Sequence, residues 1–176
     1  MSLVEKEEEQ LKKKKSAAIE LSKTLASLTT KAQYSVPRIK FIEESDLSEH
    51  LYNSNERWIA TSAASEHTWW GFHDHSFTEV YGHWIDWSWA RAPKELKVRL
   101  FSNAAAIEQD MQVKHPERMV KPLPTGVSFD SSMWTYGDFI WLVQTRVRPH
   151  YMVEIHDPVL ARNQRELFKG LWSLAT

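Results

Sequence analysis

"EIHDPVLARNQRELFKGLW", Glu154 to Trp172, decides how the chain is read. An alternating "HYMVEIHD" arrives first and reads as a strand. Asp157-Pro158 then opens a helix, with aspartate at the N-cap and proline at the first helical position. Leu160, Leu167, Leu171 and Trp172 give that helix its expected apolar face. Immediately upstream, "SSMWTYGDFIWLVQTR" reads as a β-hairpin turning at Gly137-Asp138.

Working back, "RMVKPLP" is a short strand and Ala104–Met111 a weak helix. "ELKVRLFSN" alternates Leu96, Val98 and Leu100 with charges, as a strand does. From Ser76, Phe77, Val80, Tyr81, Trp84 and Trp87 recur at helical spacing, and Ser76 with Glu79 has the spacing of a capping box. "RIKFIEE" reads as a strand, "SDLSEHLYNS" as a short helix capped by Ser45, and "RWIATSAA" as a second strand. Strands and helices alternate in the first half, and a hairpin, strand and helix close the second. The expectation is an α/β layered domain with a mixed sheet.

Residues 1–31 differ. "VEKEEEQLKKKKSAAIELSKTLASLTTK" lacks glycine, proline and aromatic residues. Val4, Leu11, Ala18 and Leu25 recur by sevens, and Leu21 and Leu28 take the complementary position. A charged linker helix pairing as a coiled coil is expected, its seam strongest from Ala18 to Leu28. The domain proper is placed at 37–176.

Composition narrows the function. The chain has 176 residues, the size of one domain with an appendage. It holds no cysteine, which removes disulfides, zinc–thiolate sites and thiol catalysis and fits a cytoplasmic protein. A net charge of -1 disfavours binding to a phosphate backbone by this piece alone. No apolar run is long enough to span a bilayer. The five glycines are far apart, so no glycine-rich phosphate loop exists, and there is no G-x-S-x-G turn.

The chain carries nine tryptophans, more than a small core needs, and two of them open "TWWGFHDHSF" (Thr68–Phe77). If extended, His73-x-His75 puts two imidazoles on one face, with Asp74 pointing away. His67, His83, His150 and His156 complete the metal candidates, but neither HExxH nor HxHxDH occurs. Glu79 and Glu154 read as a cap and a solvated strand residue.

"SSMWTYGDFIWLVQTRVRPHYMVEIHDPVLARNQRELFKGLW" resembles the closing segment of the phospholipase-D-like fold, where a hairpin carries H-x-K-x4-D and a strand and helix follow. "WWGFHDHSFTEVYGHWIDWSWARAPKELKVRLFSN" is similar to the middle of that domain. The resemblance runs from Pro37 to Trp172 and is strongest to the effector domains of TrmB-like transcriptional regulators. It implies a phospholipase-D-like mixed β-sheet flanked by helices, preceded by the linker helix. If Asp138 matches the motif aspartate, Ser131 and Met133 stand where histidine and lysine would be. Serine without a base is a poor nucleophile and methionine carries no charge. The resemblance therefore implies a protein that is no enzyme and needs no cofactor. Such regulators carry a winged helix before the linker, so the chain is expected to be a C-terminal portion or a stand-alone relative, meeting DNA only through a domain it does not contain.

On this basis Trp69, Trp70, His73, His75, Ser131, Trp134 and Tyr136 are expected to line a cleft for a sugar or another small organic effector. A homodimer through the N-terminal helix, and through a tryptophan-rich face, is expected. Two rival classes stand beside it. One is a metal-dependent hydrolase using His73, His75 and a third histidine. The other is an interaction module whose tryptophans bury against a partner protein.

Overall fold

The computed structural model describes residues 14, 15, 36–122 and 126–175. The chain divides into two units, Met1–Val36 and Pro37–Thr176. The expected heptad seam lies outside the described residues. The sheet and its helices belong to the second unit.

In chain order the elements are β1 (Arg38–Glu43), α1 (Glu44–Ala60), a 3-10 turn (Ser62–Ser65), β2 (Thr68–His73), α2 (Ser76–Trp89), β3 (Lys97–Ser102), α3 (Ala106–Lys114), β4 (Arg118–Pro122), β5 (Ser132–Tyr136), β6 (Phe139–Gln144), β7 (Tyr151–His156) and α4 (Pro158–Leu174). The seven strands form one sheet in the order β1-β7-β6-β5-β2-β3-β4. β2, β3 and β4 run parallel, and every other pairing is antiparallel. The sheet is mixed, as the sequence implies. The parallel half comes from the βαβ units around α2 and α3, while the antiparallel half joins the consecutive strands β5, β6 and β7 to the sequence-distant β1 and β2.

Adjacent residues of a strand face opposite sides, and β5 shows which helices lie where. Trp134 packs on Phe77 of α2, with ring centroids 4.6 Å apart. Its neighbour Thr135 donates to the carbonyl of Ala161 in α4 at 3.3 Å. So α4 covers one face and α2 the other. The α2 face holds an aromatic core: Trp69 stacks on Trp141 at 4.8 Å and on Tyr136 at 5.1 Å. Trp58 of α1 meets Trp141 edge-on at 4.9 Å.

Local signals explain several elements. Asp157 caps α4, its Oδ1 accepting from the amides of Val159 at 2.9 Å and Leu160 at 3.1 Å. The hairpin turns at Gly137-Asp138, where Gly137 takes φ 56°. A side chain there would collide with Thr61, so glycine is required twice over.

Four expectations need correction. No strand forms at "RWIATSAA": α1 runs through it to Ala60, burying Leu47, Leu51, Ser54, Asn55 and Trp58 on one helical face. Ser45 does not cap α1, which begins at Glu44 without a side-chain cap, the Ser45 hydroxyl donating to Asp46 instead. The capping box does not form, because the Ser76 hydroxyl bonds to Asp74 and Thr145 instead. Finally, α4 packs through Ala161, Arg165 and Phe168, leaving Leu160, Leu167 and Leu171 exposed.

Candidate functional site: an aromatic cavity beside a buried histidine

Strand alternation separates the two tryptophans of "TWWGFH". Trp69 enters the aromatic core, while Trp70 crosses to the α4 face and meets Trp172 edge-on at 6.0 Å. Between α2 and the sheet lies a cavity of about 60 Å³. Trp69 and His73 of β2, Phe77 and Trp84 of α2, Trp134 of β5 and Arg118 of β4 line it, with aliphatic groups of β3. His73 and Trp134 stack across it at 5.6 Å.

His73 ends β2 and is buried. Its Nε2 lies 2.8 Å from Thr78 Oγ1 and 3.1 Å from Glu108 Oε1. The Thr78 hydroxyl donates to Glu108 at 2.8 Å, so its oxygen is left to accept. Both partners of Nε2 are then acceptors, and Nε2 carries the proton. Arg118 donates to the other oxygen of Glu108. Burial lowers the His73 pKa below its ordinary value, more than Glu108 raises it, so the ring is neutral. Burial alone would raise Glu108, but donation from His73, the charge of Arg118 and donation from Thr78 lower its pKa overall. The Arg118–Glu108 pair therefore adds no net charge to the cavity wall.

Four buried polar atoms of lining residues have no partner in the protein: Trp84 Nε1, Trp134 Nε1, Arg118 Nε and His73 Nδ1. Leaving such an atom unmatched costs roughly 1–3 kcal/mol. Asn55 Nδ2, Trp70 Nε1, His75 Nδ1 and the Tyr136 hydroxyl, outside the cavity lining, are likewise unmatched. Buried Glu154 accepts from Arg57 at 2.7 and 2.9 Å, from Trp58 Nε1 at 2.7 Å and from Trp141 Nε1 at 3.3 Å, with His50 beside it at 3.3 Å. It is no solvated strand residue.

A second polar cluster closes the carboxyl ends of β2 and β3. Asp74 does not point away into solvent; it is fully buried. Its carboxylate accepts from Ser76 at 2.5 Å, from Asn103 at 3.0 Å, and from Arg146 at 2.5 and 3.2 Å. Its amide donates to Ser132 at 2.9 Å. Burial pushes its pKa up, but Arg146 and Ser76 outweigh that and lower it overall.

No family model and no curated protein matches the chain significantly. Among solved structures, NucT from Helicobacter pylori aligns with a TM-score of 0.52 at 10% identity, over 80% of this chain and 99% of that one. The fold is phospholipase-D-like. TrmBL2, an archaeal chromatin protein with a novel mode of DNA binding, aligns over 98% of this chain at 17% identity with a TM-score of 0.46. This chain spans 66% of that chain's length. The inference from Ser131 and Met133 to a protein that is no enzyme is overturned, because NucT, which shares the fold, is a phospholipase-D-like nuclease. Fold likeness at that identity carries no reaction across.

Of the expected cleft residues, Trp69, His73 and Trp134 meet at the cavity. Tyr136 stacks behind Trp69 in the core. Trp70 faces α4, Ser131 is exposed, and His75 is partly exposed with its ring 3.4 Å from Asp74. His73 and His75 do not share a face, since β2 ends at His73 and His75 takes a helical conformation. Among the described residues no group of three or more His, Asp or Glu side chains is placed to hold a metal. Every tryptophan is buried or half-buried. Sequence reasoning missed Glu108 and Arg118. Each stands among other charges in a polar stretch, and only the parallel pairing of β3 with β4 brings Arg118 beneath α3.

Proposed function

We propose that the domain binds a small organic effector in the cavity between α2 and the sheet, as the ligand-sensing part of a TrmB-like transcriptional regulator. The observation that carries this is the aromatic-walled cavity between α2 and the sheet, with His73 and Arg118 among its lining residues. A concave apolar site with a few convergent polar groups is the usual form of a small-molecule site. The regulator context is supported by the sequence resemblance of Pro37–Trp172 to TrmB-like effector domains. DNA contact is assigned to a winged-helix domain of the kind such regulators carry, outside residues 1–176. The heptads of residues 1–31 are assigned to a homodimer, through which a ligand favouring one geometry alters the spacing of DNA-binding heads.

Thermal shifts against a panel of small sugars, amides and aromatic metabolites test the cavity. A true ligand at one hundred times its Kd stabilises by about 2.7 kcal/mol. Val98 lines the cavity, so Val98→Phe fills it and is expected to abolish the shift. A panel without a stabilising compound, or a shift that survives Val98→Phe, overturns the assignment. Sedimentation of the full chain against residues 32–176 tests the dimer, which is expected to become a monomer on truncation.

A further inference from the structure

α4 leaves part of its own sheet face uncovered. The helix starts at Pro158, just past the end of β7, and crosses to β3, where Trp172 meets Trp70 and Phe101. Ile140 of β6 pairs with Thr135, which reaches Ala161 of α4, and Ile140 is buried. Leu142, two residues further along the same face, is 36% exposed. Tyr151 of β7 and Ile39 and Phe41 of β1 continue that face by register and are exposed by 37%, 66% and 63%. Phe41 and Tyr151 stack at 5.6 Å. These four residues make an apolar floor. The adjoining flank of α4 is apolar too. At about 100° per residue, Leu160, Leu167 and Leu171 fall within roughly 40° of one another on the helix, and all three are exposed. Lys169 falls on the opposite flank and reaches Glu66, ahead of the start of β2. The leucine ridge therefore faces the other way, toward the uncovered ends of β6, β7 and β1.

Resting on the homodimer proposed above, we infer that a second copy of this domain covers the floor, the leucine ridge of each copy lying on the floor of the other. Shape, charge and area favour a second copy over other occupants. Each copy carries a ridge and an open floor side by side, the two halves that a self-complementary two-fold contact needs. Around a two-fold axis a central charge would meet its own image, and none of the floor or ridge residues is charged. Lys40 alternates onto the other face, opposite Glu154, and Glu43 stands at the rim as the last residue of β1. The floor and ridge side chains are exposed by 36% to 66%. At roughly 150–250 Å² for a large side chain, they offer on the order of 600 Å² per copy. A standard interface takes about 800 Å² from each partner, so the contact is weak by itself. It closes where the N-terminal helices tether two copies at a roughly millimolar effective concentration.

The chain has no cysteine, so a single introduced thiol in the full chain reports on one position only. Leu142→Cys protein is mixed with Leu167→Cys protein, left to exchange, and treated with a short bis-maleimide. A control mixture pairs Leu142→Cys with Arg162→Cys, whose side chain is exposed on the other flank of α4. The floor-and-ridge pair is expected to cross-link between chains at least ten-fold faster than the control pair. Sedimentation of the untreated mixtures keeps the two readings apart. A dimer whose thiols cross-link no faster than the control overturns the face contact alone. A monomer overturns the helix-mediated dimer, and this contact with it. Thiols at 142 and 167 that neither cross-link nor react with a small maleimide would show another segment of the same chain on the floor, which overturns the second copy as its occupant.

Discussion

Arg146 holds both carboxylate oxygens of Asp74, reaching Oδ1 through Nη2 at 2.5 Å and Oδ2 through Nε at 3.2 Å. The pair joins the end of β6 to the end of β2 across a sequence separation of 72 residues. Asp74 is fully buried, whereas the Arg146 side chain is 38% exposed. Removing the arginine therefore strands a buried charge, while removing the aspartate frees a cation that water can solvate. Arg146→Met is expected to lower stability by about 2 kcal/mol, the range for hydrogen bonds to charged groups. Ser76 and Asn103 remain as donors and limit the loss. Arg146→Lys recovers only part, because an ammonium cannot bridge both oxygens. Urea denaturation measures both, and an unchanged midpoint in Arg146→Met contradicts the role.

Glu154 ties β7 to α1. Its pKa is held at about 2: burial opposes ionisation, but donation from His50, Arg57 and Trp58 wins. A carboxylate whose folded pKa lies below its unfolded value of 4.5 stabilises fully above the unfolded pKa. That contribution is lost as pH falls from roughly 5 to 2, and a shift of this size corresponds to about 3 kcal/mol. Glu154→Gln is expected to be less stable at neutral pH and to show a shallower decline in stability across the acid range. A parallel acid profile in the variant and the parent would count against this account.

What was legible in the sequence was local. Asp157-Pro158 caps α4 and Gly137-Asp138 turns the hairpin because each signal acts on backbone within a few residues. His73 and Trp134 could be nominated because tryptophan and histidine stand out by type. Long-range pairing was not legible. Arg165 is buried because it donates to the carbonyl of Gly137, and no periodicity shows an arginine facing inward while Leu167 faces out. Glu154 was misread for the same reason: its partners lie in α1 and β6, and a carboxylate alternating along a strand looks solvated until they are in place. "RWIATSAA" misled because a short apolar run fits strand or helix equally, and only Trp58, buried between Trp84 and Trp141, decides for helix.

Gly71 is expected to be the least replaceable residue of β2. It pairs with Trp134 across the sheet, and an added Cβ would sit 2.1 Å from the carbonyl oxygen of Met133 and 3.0 Å from Trp134 Cδ1. The first contact is with backbone and cannot be relieved by a rotamer change. Gly71→Ala must part β2 from β5 and displace Trp134 from the cavity wall. A loss of about 3 kcal/mol is expected, at the upper end for overpacking. Near-ultraviolet circular dichroism reports the tryptophan environment, and a stable variant with a parental spectrum would show that the strands approach less closely.

His73 gives the pH signature of the cavity. Its folded pKa is depressed, so the folded protein binds fewer protons there than the unfolded chain once pH falls below about 6.5. Its contribution to stability is present above that pH and is lost as pH falls through the folded pKa. Nitrogen NMR of the ring is expected to show the neutral form, protonated on Nε2, still predominant below pH 6.5. Nδ1 has no partner within the protein, so its protonation adds a positive charge beside the Arg118–Glu108 pair. A ring already half charged at pH 6.5 would mean that solvent reaches it and that burial does not hold it neutral.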